Sequence, residues 1–574
     1  MKPRSSARPS ARPSDPESSP LSAQSSAPLF ANLAALLAAL AATGALACIV
    51  QTQINLAQLL ELGAQVSPAT RVWMTLEDLA RFGPVMLAIA AAAMLPALLT
   101  AQRAAQRWLP TARLAVRAGL YAAGSVAALW TAFWLMRSVI PMPAIAATRE
   151  LSGHVLLSLS GVGGGVIYAL LTSPRLGTKP AADLRARRRN ILAGATFVLV
   201  PLMIFLAMAP RGDEQPAPVD PASYRVQTVA TGLNRPWAVA FLPDGRALVT
   251  EMGGRLLTIA PGGARSEIAL AGLPPIFHQG GVAGLMDVAL DPDFASNGRL
   301  YLTMGYGDAG ANGVRLVRAK LTGERIEDVR VLFSSTLKPS AGNNGGRLAF
   351  LGDGTLVLTL GDGSARREEA QNLSNHLGSL VRLDRDGRPP VDNPFLQQAG
   401  AAPEIYSFGH RNVQGIAKDP VTGDLLITEH GPRGGDEINR VVAGGNYGWP
   451  LVTGGIDYPF ARVSPFTRLD GYLDPILQWT PSIAPSGLAV YDAALFPEWR
   501  GDLFVPALRE RAVRRVIRSK QGRIVGQQLL LADLNERMRD VRVAPDGAIY
   551  VLTDGLDAKL LRLVPPAPAP VVGG

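Results

Sequence analysis

Two closely spaced arginines near the end of the chain have the types and spacing of an anion-binding site. Arg537 and Arg539 lie in the segment NERMRDVRV. On a β-strand, residues two positions apart share a face, so the two guanidinium groups would lie side by side. Paired guanidiniums suit carboxylate groups, which they bind through parallel hydrogen bonds. The pair therefore predicts a carboxylate-binding site, although a solvated strand face would show the same spacing.

A glycine-rich segment, EHGPRGGDEIN at residues 429–439, combines accessible backbone with carboxylates. Calcium takes oxygen ligands from both main-chain carbonyl and carboxylate groups. The segment is therefore a candidate calcium site, and a simple turn is the alternative. Asp362, in LGDGS, offers a further carboxylate, and capping a turn is the alternative for it as well.

A repeated unit must position these loops. Between residues 223 and 566, a short apolar strand, a turn with glycine and a second apolar strand recur six times. The turn glycines recur every 46 to 78 residues and are Gly245, Gly298, Gly354, Gly423, Gly501 and Gly547. Glycine suits the positive φ of a hairpin turn. Six such hairpins predict an all-β, six-bladed β-propeller; an irregular β-sandwich is the alternative, but it would not explain the regular recurrence.

The repeat also predicts where a ligand binds. In an antiparallel hairpin, the start of the first strand and the end of the second lie at the same edge of the sheet. The segments at those positions are the most polar and glycine-rich in the chain, and they include AGNNGGR, GHRNVQG, GDGSARR, EHGPRGGDE and PALRER. All six hairpins should deliver them to one face of the ring, where they would line a shared ligand-binding mouth.

The first part of the chain has a different composition. Residues 28–209 contain five apolar stretches, each about long enough to cross a ~30 Å hydrocarbon core as a helix: 29–50, 82–101, 118–136, 151–172 and 191–209. They predict an α-helical transmembrane bundle of five helices. Residues 1–27 and 567–574 are predicted to be disordered tails, and 210–222 a proline-rich linker to the propeller at 223–566.

The net charge of +10 is concentrated in alternate connections of the bundle. The N-terminal tail and the connections around 103–117 and 175–189 are rich in Arg and Lys. By the positive-inside rule the N-terminus is cytoplasmic, and five crossings place the propeller in the periplasm, anchored to a bacterial inner membrane. The basic balance is thus explained without a nucleic-acid partner. Cys48 is the single cysteine, which excludes an intrachain disulfide and a thiolate metal cluster.

At about residues 228–564 the sequence resembles the soluble-type sugar dehydrogenases that use pyrroloquinoline quinone (PQQ). Three long motifs carry the resemblance: SFGHRNVQGIAKDP, EHGPRGGDEINRVVAGGNYGWPLVTGGIDY and NERMRDVRVAPDGAIYVLTD. The resemblance implies a six-bladed propeller with PQQ on its upper face and calcium ions, one at the cofactor and others structural. It implies oxidation of the C1 hydroxyl of an aldose, with hydride transfer to PQQ. A membrane quinone is a candidate electron acceptor.

The resemblance also implies roles for individual residues. The cofactor-contacting positions match Arg411 and Asn412 at the quinone oxygens, and Tyr458, Arg509, Arg537 and Arg539 elsewhere on PQQ. The carbonyl groups of Gly431 and Pro432 match ligands of the cofactor calcium. Glu437 and the Tyr447 carbonyl match ligands of a structural calcium. Asp362 matches a carboxylate that supports the catalytic base.

Two positions that bear on catalysis depart from the family pattern, and the first is Val282, which stands where relatives carry a glutamine before GLLD. Relatives carry the proton-accepting histidine in the loop before the third hairpin, and anchoring on GGRLAF places Asn343 there. An amide cannot accept a proton near neutral pH. Three hypotheses therefore stand. The first is a PQQ-dependent aldose dehydrogenase, and the second is a propeller that binds sugar or PQQ without turnover, as a sensor or binding module. The third is an enzyme that uses His278 or Asp362 as the base on another alcohol or a hydrated aldehyde.

Overall fold

The computed structural model describes residues 27–139, 145–172 and 215–566. Its N-terminal part is a bundle of helices: α1 (Ala27–Glu61), α2 (Pro68–Arg81), α3 (Gly83–Trp108), α4 (Leu114–Val139) and α5 (Leu151–Thr172). Of these described helices, α1, α3, α4 and α5 are long and apolar enough to cross a membrane. They cover the predicted stretches 29–50, 82–101, 118–136 and 151–172, except that α3 begins one residue later, at Gly83. The fifth predicted stretch, 191–209, lies outside the described residues, so the described part of the chain has four candidate spans where the sequence predicted five.

The sequence analysis did not identify α2. Its N-terminus is capped by Ser67, whose side chain accepts a hydrogen bond from the Thr70 amide, and Pro68 follows at the first helical position. At 14 residues the helix is too short to span a bilayer. It buries Met74, Glu77 and Asp78, and the two carboxylates contact the propeller, as described below.

The C-terminal part is a six-bladed propeller, as the sequence predicted. Six four-stranded antiparallel sheets are arranged in sequence order. Their strands are β1 (Arg225–Leu233), β2 (Pro236–Phe241), β3 (Ala247–Glu251), β4 (Arg255–Ile259), β5 (Arg265–Ile268), β6 (Leu285–Leu290), β7 (Arg299–Gly307), β8 (Asn312–Thr322), β9 (Arg325–Ser334), β10 (Gly345–Phe350), β11 (Leu356–Leu360), β12 (Ser379–Leu383), β13 (Ile405–Phe408), β14 (Val413–Lys418), β15 (Leu425–Glu429), β16 (Asp436–Arg440), β17 (Leu477–Trp479), β18 (Ala489–Val490), β19 (Leu503–Ala507), β20 (Ala512–Arg518), β21 (Ile524–Leu530), β22 (Met538–Val543), β23 (Ile549–Thr553) and β24 (Ala558–Val564). The six predicted turn glycines all have positive φ, between 63° and 89°.

The ring is closed by its first strand. β1 pairs antiparallel with β24, with Arg225 opposite Val564, and so completes the sheet of β22, β23 and β24. The centre of the ring is filled by Arg347 on β10, which is fully buried. Its Nη1 lies 3.0 Å from Oδ1 of Asp540, and its guanidinium lies 4.0 Å from the ring centre of Trp237. These contacts join three blades at the axis.

The bundle contacts the propeller through one end. Arg462 of the propeller binds Glu77 on α2 through Nε–Oε2 and Nη2–Oε1 contacts of 2.5 and 2.8 Å. Its backbone nitrogen donates to Oδ1 of Asp78, and its carbonyl accepts from Nδ2 of Asn55 on α1, at 2.8 and 3.1 Å. Oδ1 of Asn55 accepts from Nη2 of Arg367 at 3.1 Å, and a turn at Ala146–Arg149, between α4 and α5, makes a further polar contact, with Glu368. Contact is therefore made by the connections that the charge pattern assigns to the far side of the membrane.

Candidate active site

A pocket of about 50 Å³ lies where the bundle meets the mouth of the propeller. It is lined by Asn343, Asp362, Ser364, Arg367, Arg411, Trp449, Asp457 and Tyr458 from the propeller and by Ala146 and Arg149 from the bundle. Four of the predicted site residues, Asn343, Asp362, Arg411 and Tyr458, thus come together. They lie in loops at the ends of different strands, which the propeller repeat brings to one face.

Asp362 is a buried hydrogen-bond acceptor in this pocket. Its Oδ1 accepts from Nδ2 of Asn343 at 2.8 Å and from the Ser364 amide at 2.7 Å, and its Oδ2 accepts from Nε1 of Trp449 at 2.8 Å. Asn343 precedes β10 and Asp362 follows β11, so the hairpin sets them side by side. Asn343 has a φ of 46°, a left-handed conformation that asparagine adopts more readily than most residues. The carboxylate and the amide therefore hold each other in fixed orientations.

Arg411 connects this pocket to the glycine-rich loop. Its Nη1 donates to the carbonyl oxygens of His430 and Gly431 at 3.2 and 2.9 Å, and its guanidinium lies 5.4 Å from the ring centre of Trp449. Burial, reinforced by the charge of Arg411 and of two further arginines, lowers the pKa of His430 to about 3. His430 is therefore neutral over the physiological range, and the positive charge here comes from arginine.

Those further arginines are the predicted pair. Arg537 Nε donates to Oδ2 of Asp554 at 2.8 Å, and Arg539 Nη2 donates to Oδ1 of the same carboxylate at 2.9 Å. Against the effect of burial, the two guanidiniums hold the pKa of Asp554 below its ordinary value. Arg509 lies on the loop after β19 and donates to the Ser482 carbonyl at 2.5 Å. One carboxylate is thus shared by two arginines, which leaves an excess of positive charge suited to an anionic ligand.

A second, smaller cavity of about 20 Å³ adjoins Arg411 and is lined by Gly431, Glu429, Glu437 and Tyr447, among others. This volume suits a single ion or water molecule. Burial and the neighbouring Glu429 raise the pKa of Glu437 to about 8. Among the described residues there is no group of three or more histidine, cysteine or acidic side chains that could hold a metal. A calcium ion here would therefore need carbonyl ligands in addition to the two carboxylates, which fits the residues present.

Three residues considered in the sequence analysis, Asn412, Pro432 and His278, do not line either of these two cavities. Oδ1 of Asn412 accepts from the Gly345 amide and from Nε2 of Gln414, both at 3.1 Å, so this oxygen serves the packing of neighbouring blades. Pro432 follows Gly431 but does not line the 20 Å³ cavity. His278, the alternative proton acceptor, is exposed and does not line the pocket that contains Asn343.

Several pocket residues were not identified from the sequence. Ser364 and Arg367 follow β11 in the segment GDGSARREE, a polar loop of the kind predicted to face the mouth. Asp457 directly precedes Tyr458, so its neighbourhood to a predicted site residue was a signal that could have identified it. Trp449 is of a residue type that is common in protein cores, and only its hydrogen bond to Asp362 identifies it as a residue of the site. For Arg149 the sequence holds no signal, because the docking of the bundle places it there.

Comparison with known proteins is consistent with this geometry. The glucose/sorbosone dehydrogenase family model matches residues 233–562, which lie within the propeller. The aldose sugar dehydrogenase of Escherichia coli is 40% identical over 352 residues, covering 60% of this chain and 94% of the relative. Quinoprotein glucose dehydrogenase B of Acinetobacter calcoaceticus is 28% identical over 438 residues, covering 62% and 90%.

A solved structure agrees with these relatives. The crystal structure of the soluble aldose sugar dehydrogenase from Escherichia coli, in the apo form, has a TM-score of 0.57 and 39% identity, covering 60% of this chain and all of that one. The match to the family model extends over more than half of the chain and includes the predicted site loops of the propeller. The chain therefore belongs to the glucose/sorbosone dehydrogenase family.

Proposed function

We propose that this protein is a membrane-anchored, PQQ-dependent aldose dehydrogenase that oxidises the C1 hydroxyl of a sugar. The observation that carries the proposal is the cluster of arginines close to a pocket that holds the buried carboxylate of Asp362. A cationic surface suits the carboxylates of PQQ, and a buried carboxylate suits a proton acceptor. The relatives named above as a quinoprotein and as sugar dehydrogenases support the same assignment.

The chain's own residues account for cofactor binding. Arg509, Arg537 and Arg539 would hold the carboxylates of PQQ, and Tyr458 would contact it. Arg411 and Asn412 would face its quinone oxygens, where a cation favours the negative charge of reduction. Bound PQQ would supply the two-electron oxidant that accepts the hydride. For calcium, the carbonyls of Gly431 and Pro432 would serve the ion at the cofactor, and Glu437 and the Tyr447 carbonyl a structural ion.

In this proposal the proton of the C1 hydroxyl goes to Asp362. The amide of Asn343 has no basic lone pair, whereas the carboxylate does. Asp362 accepts hydrogen bonds from Asn343, the Ser364 amide and Trp449, and two carboxylate oxygens offer about four acceptor positions, so one remains for the substrate. Asn343 then positions the carboxylate instead of acting as the base.

The proposed location of the propeller rests on how Arg and Lys are distributed among the connections of the bundle. We infer that the basic connections lie in the cytoplasm and that the propeller lies in the periplasm of a bacterium. The contacts through Asn55, α2 and the turn Ala146–Arg149 support this, because these elements belong to the connections poor in Arg and Lys. A quinone dissolved in the membrane would then be close enough to serve as electron acceptor.

The departure at Asn343 supports a second candidate, a propeller that binds PQQ or sugar without turnover. The test uses the full chain in detergent with calcium and PQQ, and follows dye reduction with a panel of aldoses. The dehydrogenase proposal predicts turnover that falls by about 10²–10⁴-fold in Asp362→Asn, the usual effect of losing a general base. PQQ binding without turnover, with turnover gained in Asn343→His, would support the binding module. Failure to bind PQQ would exclude the dehydrogenase, and failure to bind both PQQ and the aldoses would exclude both candidates.

A further inference from the structure

The membrane bundle contributes a side chain to the pocket. Arg149 ends the turn between α4 and α5, and this turn is held against α1 because the Ala147 amide donates to Oε1 of Gln51 at 3.0 Å. The Arg149 side chain is only 9% exposed. Its Nη1 donates to both carboxylate oxygens of Glu368, at 3.1 and 2.9 Å. The residue is therefore fixed across the boundary between the bundle and the propeller.

Two polar groups in this pocket lack partners. A guanidinium has five N–H donors, and within the described ranges only the two on Nη1 of Arg149 meet an acceptor. The Oγ of Ser364 is buried and likewise has no hydrogen-bond partner in the described part of the chain. A buried polar group is nearly always hydrogen-bonded, so the buried Ser364 hydroxyl indicates a ligand. The remaining N–H groups of Arg149 are not fully enclosed, so a ligand in the pocket can reach them. Both groups line the pocket that contains Asp362.

The charges around these groups indicate a neutral ligand. Glu368 balances Arg149, and Asp457 balances Arg367 through an Nη1–Oδ2 contact of 3.0 Å. Arg411 and Asp362 add one charge of each sign to the same pocket, so the subsite has little net charge for an anion to neutralise. Sugar hydroxyls, which both donate and accept hydrogen bonds, would satisfy the free N–H groups of Arg149 and the Ser364 hydroxyl.

We propose that Arg149 and Ser364 form a subsite for hydroxyl groups of an aldose other than the one at C1, and that the turn Ala146–Arg149 covers it so that monosaccharides are favoured over longer sugars. The proposal rests on the proposed sugar dehydrogenase function. The family match at residues 233–562 does not include the bundle, so the subsite belongs to this chain's membrane-anchored architecture. Arg149 is a specificity-determining residue here and takes no part in proton transfer.

The experiment measures kcat and KM for D-glucose and maltose with the full chain in detergent, loaded with PQQ and calcium. Arg149→Ala is expected to raise the KM for glucose about tenfold, the usual effect of losing a charge-assisted hydrogen bond, with kcat changed by less than about threefold. The ratio of kcat/KM for maltose to that for glucose should rise about tenfold, because the Arg149 side chain of the covering turn is removed and the pocket is more open. Arg149→Lys keeps the charge beside Glu368, so it should raise the KM while keeping the preference for glucose.

Arg71→Ala is the matched control, because Arg71 lies on α2 and donates only to Oε1 of Gln53 within the described residues. This variant should have the same kcat and KM for glucose and maltose as the unmodified protein. An unchanged KM in both Arg149 variants, or a fall in kcat alone, would overturn the proposal. A fall in kcat alone would mean that Arg149 acts only through the fold.

A second measurement separates this proposal from the proposed function. Glucose binding can be followed by quenching of tryptophan fluorescence, because Trp449 lines the pocket, and it requires no turnover. If the protein turns over no sugar, glucose binding that is weakened about tenfold in Arg149→Ala but not in Arg71→Ala would still support the subsite. Equal binding by the two variants, or no glucose binding by the unmodified protein, would overturn it.

Discussion

Replacing Arg462 with alanine should loosen the bundle from the propeller. The side chain is 19% exposed, and its two hydrogen bonds to Glu77, at 2.5 and 2.8 Å, are both charge-assisted. Removing one partner of a buried ion pair costs about 3–5 kcal/mol when the other is left alone. Glu77 keeps a second cation, Arg81, at 2.9 Å. We therefore expect a loss of about 2–3 kcal/mol in docking free energy, which corresponds to a roughly 30- to 150-fold larger undocked population.

Hydrogen–deuterium exchange of the full chain in detergent measures this effect directly. The backbone nitrogen at position 462 donates to Oδ1 of Asp78 on α2, at 2.8 Å. That amide loses its acceptor when the bundle undocks, so its protection reports the docking equilibrium. In Arg462→Ala the exchange rate of this amide should rise roughly 30- to 150-fold, in proportion to the undocked population.

Arg468→Ala is the control, since the Arg468 side chain is 79% exposed and its only ion pair among the described residues is a long one, 3.6 Å from Nε to Oδ2 of Asp474. An exposed pair of this kind contributes little, so exchange at position 462 should remain within about twofold of the unmodified protein. Exchange unchanged in Arg462→Ala, or raised equally by Arg468→Ala, would refute the inference that the Arg462 side chain holds the bundle against the propeller.

Two further predictions concern the propeller. Arg539→Ala should weaken the binding of PQQ about 10- to 100-fold, because a guanidinium of the cationic cluster is lost. Titration with PQQ, followed by dye reduction, measures this affinity. An unchanged affinity would argue that the cluster does not bind the cofactor. In calcium-free protein, the free energy of unfolding should fall as pH rises from about 4.5 through about 8, because the folded state retains the proton of Glu437 that the unfolded state has released. Thermal melting should show that added calcium or Glu437→Gln makes this fall of stability with pH less steep. Stability that rises with pH between about 4.5 and about 8 would contradict the raised pKa of Glu437.

The propeller could be predicted from the sequence because its signals are local. Each hairpin carries its turn glycine and its apolar strands within a short segment, and the number of blades follows from counting them. The pairing of Asn343 with Asp362 also follows, because the two ends of one hairpin must be neighbours. Four of the candidate membrane spans are evident for the same reason, since length and hydropathy alone decide whether a helix could cross a bilayer.

The remaining features depend on how distant parts of the chain meet. Arg149 and Glu368 are far apart in sequence, and neither has a pattern that points to the other. The helix α2 is too short and too polar for a hydropathy search, and its role is visible only where Glu77 and Asp78 contact Arg462. The cover over the pocket is therefore a property of docking, which composition and periodicity do not encode.

The pairing of β1 with β24 has a consequence for synthesis of the protein. The strand that closes the ring is the first propeller strand to leave the ribosome, and its partner is the last. Until the chain has been made through Val564, β1 has no neighbour along this edge, and the sixth blade cannot be completed. A truncation before β24 would therefore leave an open sheet edge on a chain that still carries its N-terminal helices, and such an edge is a site for aggregation and for proteolytic quality control.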